Sequence, residues 1–160
     1  MAYLLDVNLL LALAWPNHRH HAIARAWFAN HGPSGWATCP ITQCGFVRVS
    51  CNAKLQPAPV SPRDAIKTLQ AMVNDPNHVF WPDDGMFLDS TTVPHDFLMG
   101  HRQVTDAYLI GLGRHHGGRL ATLDQALLTL LPIAQRNSVT VISVPSGPAS
   151  PPGTSSGGPP

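Results

Sequence analysis

"YLLDVNLLLALAWPNH", residues 3–18, places a single carboxylate, Asp6, between two apolar runs. The four residues "AYLL" (2–5) read as a strand buried on both faces. The run after Asp6 reads as a helix that stops near Pro16. A charge in such surroundings is costly unless something pairs with it. The identity of that partner is the question the rest of the chain has to answer.

The same unit recurs downstream. "HRHHAIARAWFANHG" (18–32) has apolar residues near helical spacing and ends at Gly32. "GWAT" (35–38) is a second short strand, followed by a helix "PITQCGFVRVSCN" with Pro40 in its first turn. Ser61 caps a further helix, "SPRDAIKTLQAMVND", and "HVFW" (78–81) is a third strand. Residues 82–101 are expected to hold a short helix and a loop. "QVTDAYLIGLGRHHGG" reads as a helix capped at or near Thr105 and ended by Gly117. "RLAT" (119–122), a short helix "DQALLTLLP" and the β-branched "VTVISV" (139–144) complete the series. Strands alternating with helices predict an α/β sandwich around a parallel sheet of four to five short strands, one domain over residues 1–144. The Pro-, Gly- and Ser-rich segment 145–160 is expected to be a disordered tail.

Composition narrows the function classes. Of the 160 residues, 44% are apolar and 12% charged, so the chain folds around a core, and its net charge of +1 gives no overall attraction to polyanions. A polyanionic substrate must therefore be held by local cations or through a bound metal. Cys39, Cys44 and Cys51 form no CxxC pair, and are expected to be small apolar residues on a buried helix, reduced as in the cytoplasm. No basic leader precedes the first apolar run, and Val7–Trp15 is far short of the ~20 residues of a membrane helix. The expectation is a cytoplasmic protein.

Ligands of an open parallel sheet bind beyond the carboxyl ends of its strands. Asp6 follows the first strand directly, Asp124 follows "RLAT" after one further residue, and Asp106 lies in the first turn of its helix. Each of the latter two also suits a plain helix-capping role. Together, three carboxylates at one sheet edge repel one another unless a divalent cation offsets them. Oxygen-only donors describe a Mg²⁺ or Mn²⁺ site, suited to phosphodiester cleavage. A haloacid-dehalogenase-type phosphatase would need an Asp where Asn8 stands, and a receiver domain a late Lys, whereas no Lys follows Lys67.

Four stretches, "LLDVNLLLAL", "WATCPITQCGFVRV", "GHRQVTDAYLIGLGRHHGGRLATLD" and "VTVI", resemble in order and spacing the PIN-domain ribonucleases, specifically VapC-type toxins of bacterial toxin–antitoxin systems. The resemblance implies a PIN-like three-layer sandwich and Mg²⁺- or Mn²⁺-dependent cleavage of RNA, usually tRNA or ribosomal RNA. It also implies a homodimer and inhibition by a VapB-type antitoxin. By position, Asp6, Asp106 and Asp124 match the acidic catalytic and metal-binding residues, with Asn8 and Thr122 beside them. The departure is Gln43, where many members carry Glu. An amide accepts hydrogen bonds without adding charge, so one tightly held metal is expected, and a catalytically impaired binding module is the rival reading. Arg48 and Arg19 are the expected RNA contacts, with Arg102, Arg114 and the histidines of "HRHH" and "HH" as further candidates. Trp15, Trp27, Trp36 and Trp81 are expected to pack rather than to stack on bases.

Overall fold

A computed structural model describes residues 1–56, 58–101 and 103–143. The expected tail therefore lies outside the described residues, as does Arg102. Five parallel strands form one sheet in the order β3-β2-β1-β4-β5. They are β1 (Tyr3–Leu5), β2 (Trp36–Thr38), β3 (His78–Phe80), β4 (Arg119–Thr122) and β5 (Val139–Val141). The helices are α1 (Val7–Ala14), α2 (His21–His31), α3 (Pro40–Ser50), α4 (Pro62–Val73) and α5 (Gln103–His115), with short 3-10 turns between elements.

The pleat of the strands builds the layers, because alternate side chains leave opposite faces of a sheet. Leu4, Ala37 and Leu120 join the core under α5 with Leu109, Ile110 and Leu112. Leu5, Trp36 and Ala121 join the opposite core with Leu9, Leu10, Phe46 and Leu69. The outcome is the expected three-layer sandwich, α5 on one face and α1–α4 on the other. Each fully buried leucine of these cores contributes about 1.5–3 kcal/mol of transfer free energy.

β1 lies in the middle of the sheet, pairing with β2 on one side and β4 on the other. Asp6 and the end of β4 are therefore neighbours, and the Asp6 N–H donates to the Ala121 carbonyl at 3.1 Å. Close approach of α3 to α1 needs Gly45, since a Cβ there would come within 2.5 Å of Val7 Cγ2. Gly117, with φ +65°, ends the turn after α5 as expected.

Several local expectations shift. α2 begins at His21, so the segment from His18 to His20 is a turn. Thr105 lies within α5 rather than capping it. "QALLTL" winds as a 3-10 helix, Gln125–Leu130. The third strand is shorter than 78–81, ending at Phe80, and as an edge strand it leaves Val79 and Phe80 about half exposed. The cysteines also differ from expectation, with Cys39 buried ahead of α3 while Cys44 is exposed. The tryptophans pack as expected. Trp36 and Trp81 are buried, Trp15 donates to Ser50 Oγ, and Trp27 meets the Tyr3 ring edge-on at 5.2 Å.

Candidate active site

Asp6 ends β1 and starts α1. Its Oδ1 accepts the Leu9 N–H at 2.6 Å, so the carboxylate is the N-cap of α1 as well as a buried charge. Its other oxygen, Oδ2, accepts the Thr122 hydroxyl at 2.5 Å. Thr122 lies at the end of β4, with no exposed surface, and its Oγ1 also accepts the Asp124 N–H at 3.0 Å. One hydroxyl thus ties the first carboxylate to the backbone of another, across more than a hundred residues of chain.

Asp124 Oδ1 in turn accepts the Ala126 N–H, capping the 3-10 turn after β4. Asp106 is half-buried in the first turn of α5, where the helix dipole favours a negative charge. Burial pushes the Asp6 carboxyl up to about 6; the bonds from Thr122 and Leu9 oppose this, and the charges of Asp106 and Asp124 add to it. Asp106 is likewise raised, by burial and then by Asp124. The structure therefore brings the three carboxylates within electrostatic reach of one another.

The remaining polar residues divide between two surfaces. Asn8, His18, Arg19, His20, Leu123 and Asp124 line one small polar recess of about 310 Å³. Burial, followed by its His20, Arg19 and His21 neighbours, lowers the pKa of His18, so its imidazole is neutral at neutral pH. Gln43 and Arg48 line a different hollow between α3 and α4, with Val47, Ile66, Leu69 and Val73. The Gln43 amide donates to Thr38 Oγ1 at 2.9 Å, and Thr38 Oγ1 is in turn bonded to His78 Nε2 at 2.8 Å. Arg114 is occupied structurally, donating to Ser138 Oγ, the Thr92 carbonyl and Gln135 Oε1. His21 Nδ1 is bonded to the Ala12 carbonyl. His115 and His116 face Asp84, away from the carboxylates.

The donor set suits a hard divalent cation. Asp6 uses one lone pair on each oxygen for its hydrogen bonds and keeps the others free. A buried carboxylate pressed by two like charges is stabilised by a cation, and carboxylate oxygens are the ligands a hard divalent cation takes. His18 and His20, two of the further RNA-contact candidates, line the polar recess with Asp124, on a turn where a helix start is expected.

The chain matches no protein-family model. It is 47% identical over 127 residues to Ribonuclease VapC39 of Mycobacterium tuberculosis, a match covering 79% of this chain and 91% of that protein. It is 44% identical over 141 residues to Ribonuclease VapC38 of the same species, covering 88% of this chain and 98% of the relative. Ribonuclease VapC44, also from M. tuberculosis, is 41% identical over 143 residues, covering 89% and 100%.

Proposed function

The chain belongs to the VapC-type PIN ribonucleases, and from that premise we propose that it is a Mg²⁺-dependent endoribonuclease toxin with its active site at Asp6, Asp106 and Asp124. The observation that carries the site assignment is the buried Asp6, raised to about 6 and acted on by the charges of both other carboxylates. Asp6, Asp106 and Asp124 would hold the ion, with Mn²⁺ as an able substitute. When bound, the cation supplies Lewis-acid polarisation of a phosphoryl oxygen and an acidified water nucleophile.

The chain's own residues do the rest. Thr122 fixes the rotamer of Asp6 through its hydroxyl and sets the position of Asp124 through its backbone. Asn8 and Arg19 line the recess beside Asp124, where a guanidinium can receive an RNA phosphate. Arg48 would meet RNA farther along α3. Gln43, bonded to the Thr38 hydroxyl and lining the α3–α4 hollow, adds no charge to the carboxylate cluster. Three carboxylates hold one metal more readily than two, so a single tight ion is proposed. The substrate is proposed to be structured RNA, tRNA or ribosomal RNA. The regulatory partner is a VapB-type antitoxin, the working unit a homodimer, and the catalytic domain residues 1–144, followed by a passive tail.

The missing fourth carboxylate favours one rival, a PIN-like binding module with impaired catalysis. Incubation of the antitoxin-free protein with end-labelled total tRNA and ribosomal RNA separates the two. The nuclease reading requires discrete cuts with Mg²⁺ or Mn²⁺ that disappear with chelator and with Asp6→Asn. RNA retained on the protein without cuts under either metal would establish the binding module instead.

A further inference from the structure

A second group of ligand-type side chains lies at the far end of α5. His115 closes that helix, His116 follows it, and Asp84 sits on the connection between β3 and α5. His116 Nε2 is 2.9 Å from Asp84 Oδ1, and His115 Nε2 is 3.7 Å from the same oxygen. One donor atom from each of the three residues falls within 4.8 Å of the others. Two ligands of a tetrahedral Zn²⁺, with bonds of ~2.0–2.1 Å, stand about 3.3 Å apart. The separations of 2.9 and 3.7 Å from the shared Asp84 oxygen bracket that spacing.

The group is also held in place. The His116 ring stacks on the buried Trp81, with centroids 4.8 Å apart and planes at 12°. The His115 and His116 rings are nearly perpendicular, at 88°, so their nitrogens reach Asp84 from two directions. The His116 N–H donates to the Leu112 carbonyl, which keeps it on the last turn of α5. A helix C-terminus carries the negative end of the dipole and favours a cation there.

We propose that Asp84, His115 and His116 bind a borderline divalent cation of the Zn²⁺ class, which staples the β3–α5 connection to the C-terminal end of α5. The donor chemistry separates this site from the carboxylate cluster. Imidazole nitrogen suits Zn²⁺ and Co²⁺, whereas oxygen-only donors suit Mg²⁺. Distance separates them as well, since nine residues of α5 between Asp106 and His115 span about 14 Å. With Asp84 and His115 each about half exposed, solvent has access to the remaining coordination position.

Titration of Co²⁺ into tag-free, full-length Asp6→Asn protein, read by visible d–d absorption, tests the site with the carboxylate cluster stripped of its buried member. The expected result is one equivalent with the strong absorption of a tetrahedral ion, displaced by Zn²⁺ and untouched by excess Mg²⁺. Asp84→Asn and His115→Ala, both at half-exposed positions that the fold tolerates, should each weaken binding about tenfold or more. Zn²⁺ should also raise the melting temperature of the wild-type chain and not that of Asp84→Asn. Absence of the absorption band, or a band unchanged in both variants with native circular dichroism, overturns the proposal.

Discussion

The two ends of α5 present opposite chemistry on one rigid element. Its first turn carries Asp106 beside Asp6 and Asp124, an oxygen-only site packed against the carboxyl ends of β1 and β4. Its last turn carries His115, with His116 beyond it, against a single carboxylate on a surface loop. The helix dipole favours an anion at the first end and a cation at the second. Burial differs too: Asp6 is 8% exposed, whereas Asp84 is 47% exposed. A buried carboxylate cluster is strained without its ion, while an exposed nitrogen site is comfortable in water. Losing the ion should therefore matter far more at the first end.

The largest test of that contrast is Asp106→Asn. Cleavage of RNA should fall by at least about 100-fold, near 3 kcal/mol of barrier, while Co²⁺ binding at the far end of α5 stays unchanged. A variant that still cuts at the wild-type rate would remove Asp106 from the site.

The next effect concerns stability. Asp6 ionises at 3.8 in the unfolded chain and at about 6 in the fold, an interval of about 3 kcal/mol. Because the folded value is the higher one, the metal-free fold holds its proton longer than the unfolded chain. Stability therefore declines as pH rises from about 4 to about 6, and the whole cost is present above that. Urea unfolding in chelator at about pH 7.5 should find Asp6→Asn more stable than wild type, by up to about 3 kcal/mol, with the gap closing by about pH 4. Mg²⁺ should stabilise the wild type alone. Equal stability at both pH values would mean the carboxylate is not strained.

Thr122→Val probes the link between carboxylates. Loss of the hydroxyl leaves Asp6 Oδ2 and the Asp124 N–H without that partner, a cost of about 1–3 kcal/mol. The Asp6 pKa should rise further, moving the acid limb of the cleavage rate to higher pH. An unshifted profile would limit Thr122 to packing.

The smallest effects belong to the rim. Arg19→Ala should weaken RNA binding a few-fold and reduce the slope of log affinity against log salt by about 0.7–0.9, one phosphate contact. An unchanged slope would place the RNA elsewhere, with Arg48 on the α3–α4 hollow the next residue to examine.

Much of this molecule is written locally. Short, largely apolar strands alternating with helices are legible because hydrophobic period and capping chemistry act over a few residues. Asp6 is legible too, since an acid flanked by apolar runs has few uses. Even there, the sequence does not separate the capping bond to Leu9 from metal binding, because both ask for the same side chain. The edge exposure of β3 is not legible in the sequence, since apolar content does not say which strand lies outermost.

What only the tertiary structure decided is which distant residues meet. The order β3-β2-β1-β4-β5 sets β4 beside β1, and with it Thr122 against Asp6 and the two later carboxylates within reach of the first. It also turned Gln43 toward Thr38 and folded Asp84 back onto His116. Periodicity fixes the face on which a side chain emerges, but strand order and crossovers set its neighbours. Those are properties of the packed whole, chosen by burying two cores at once.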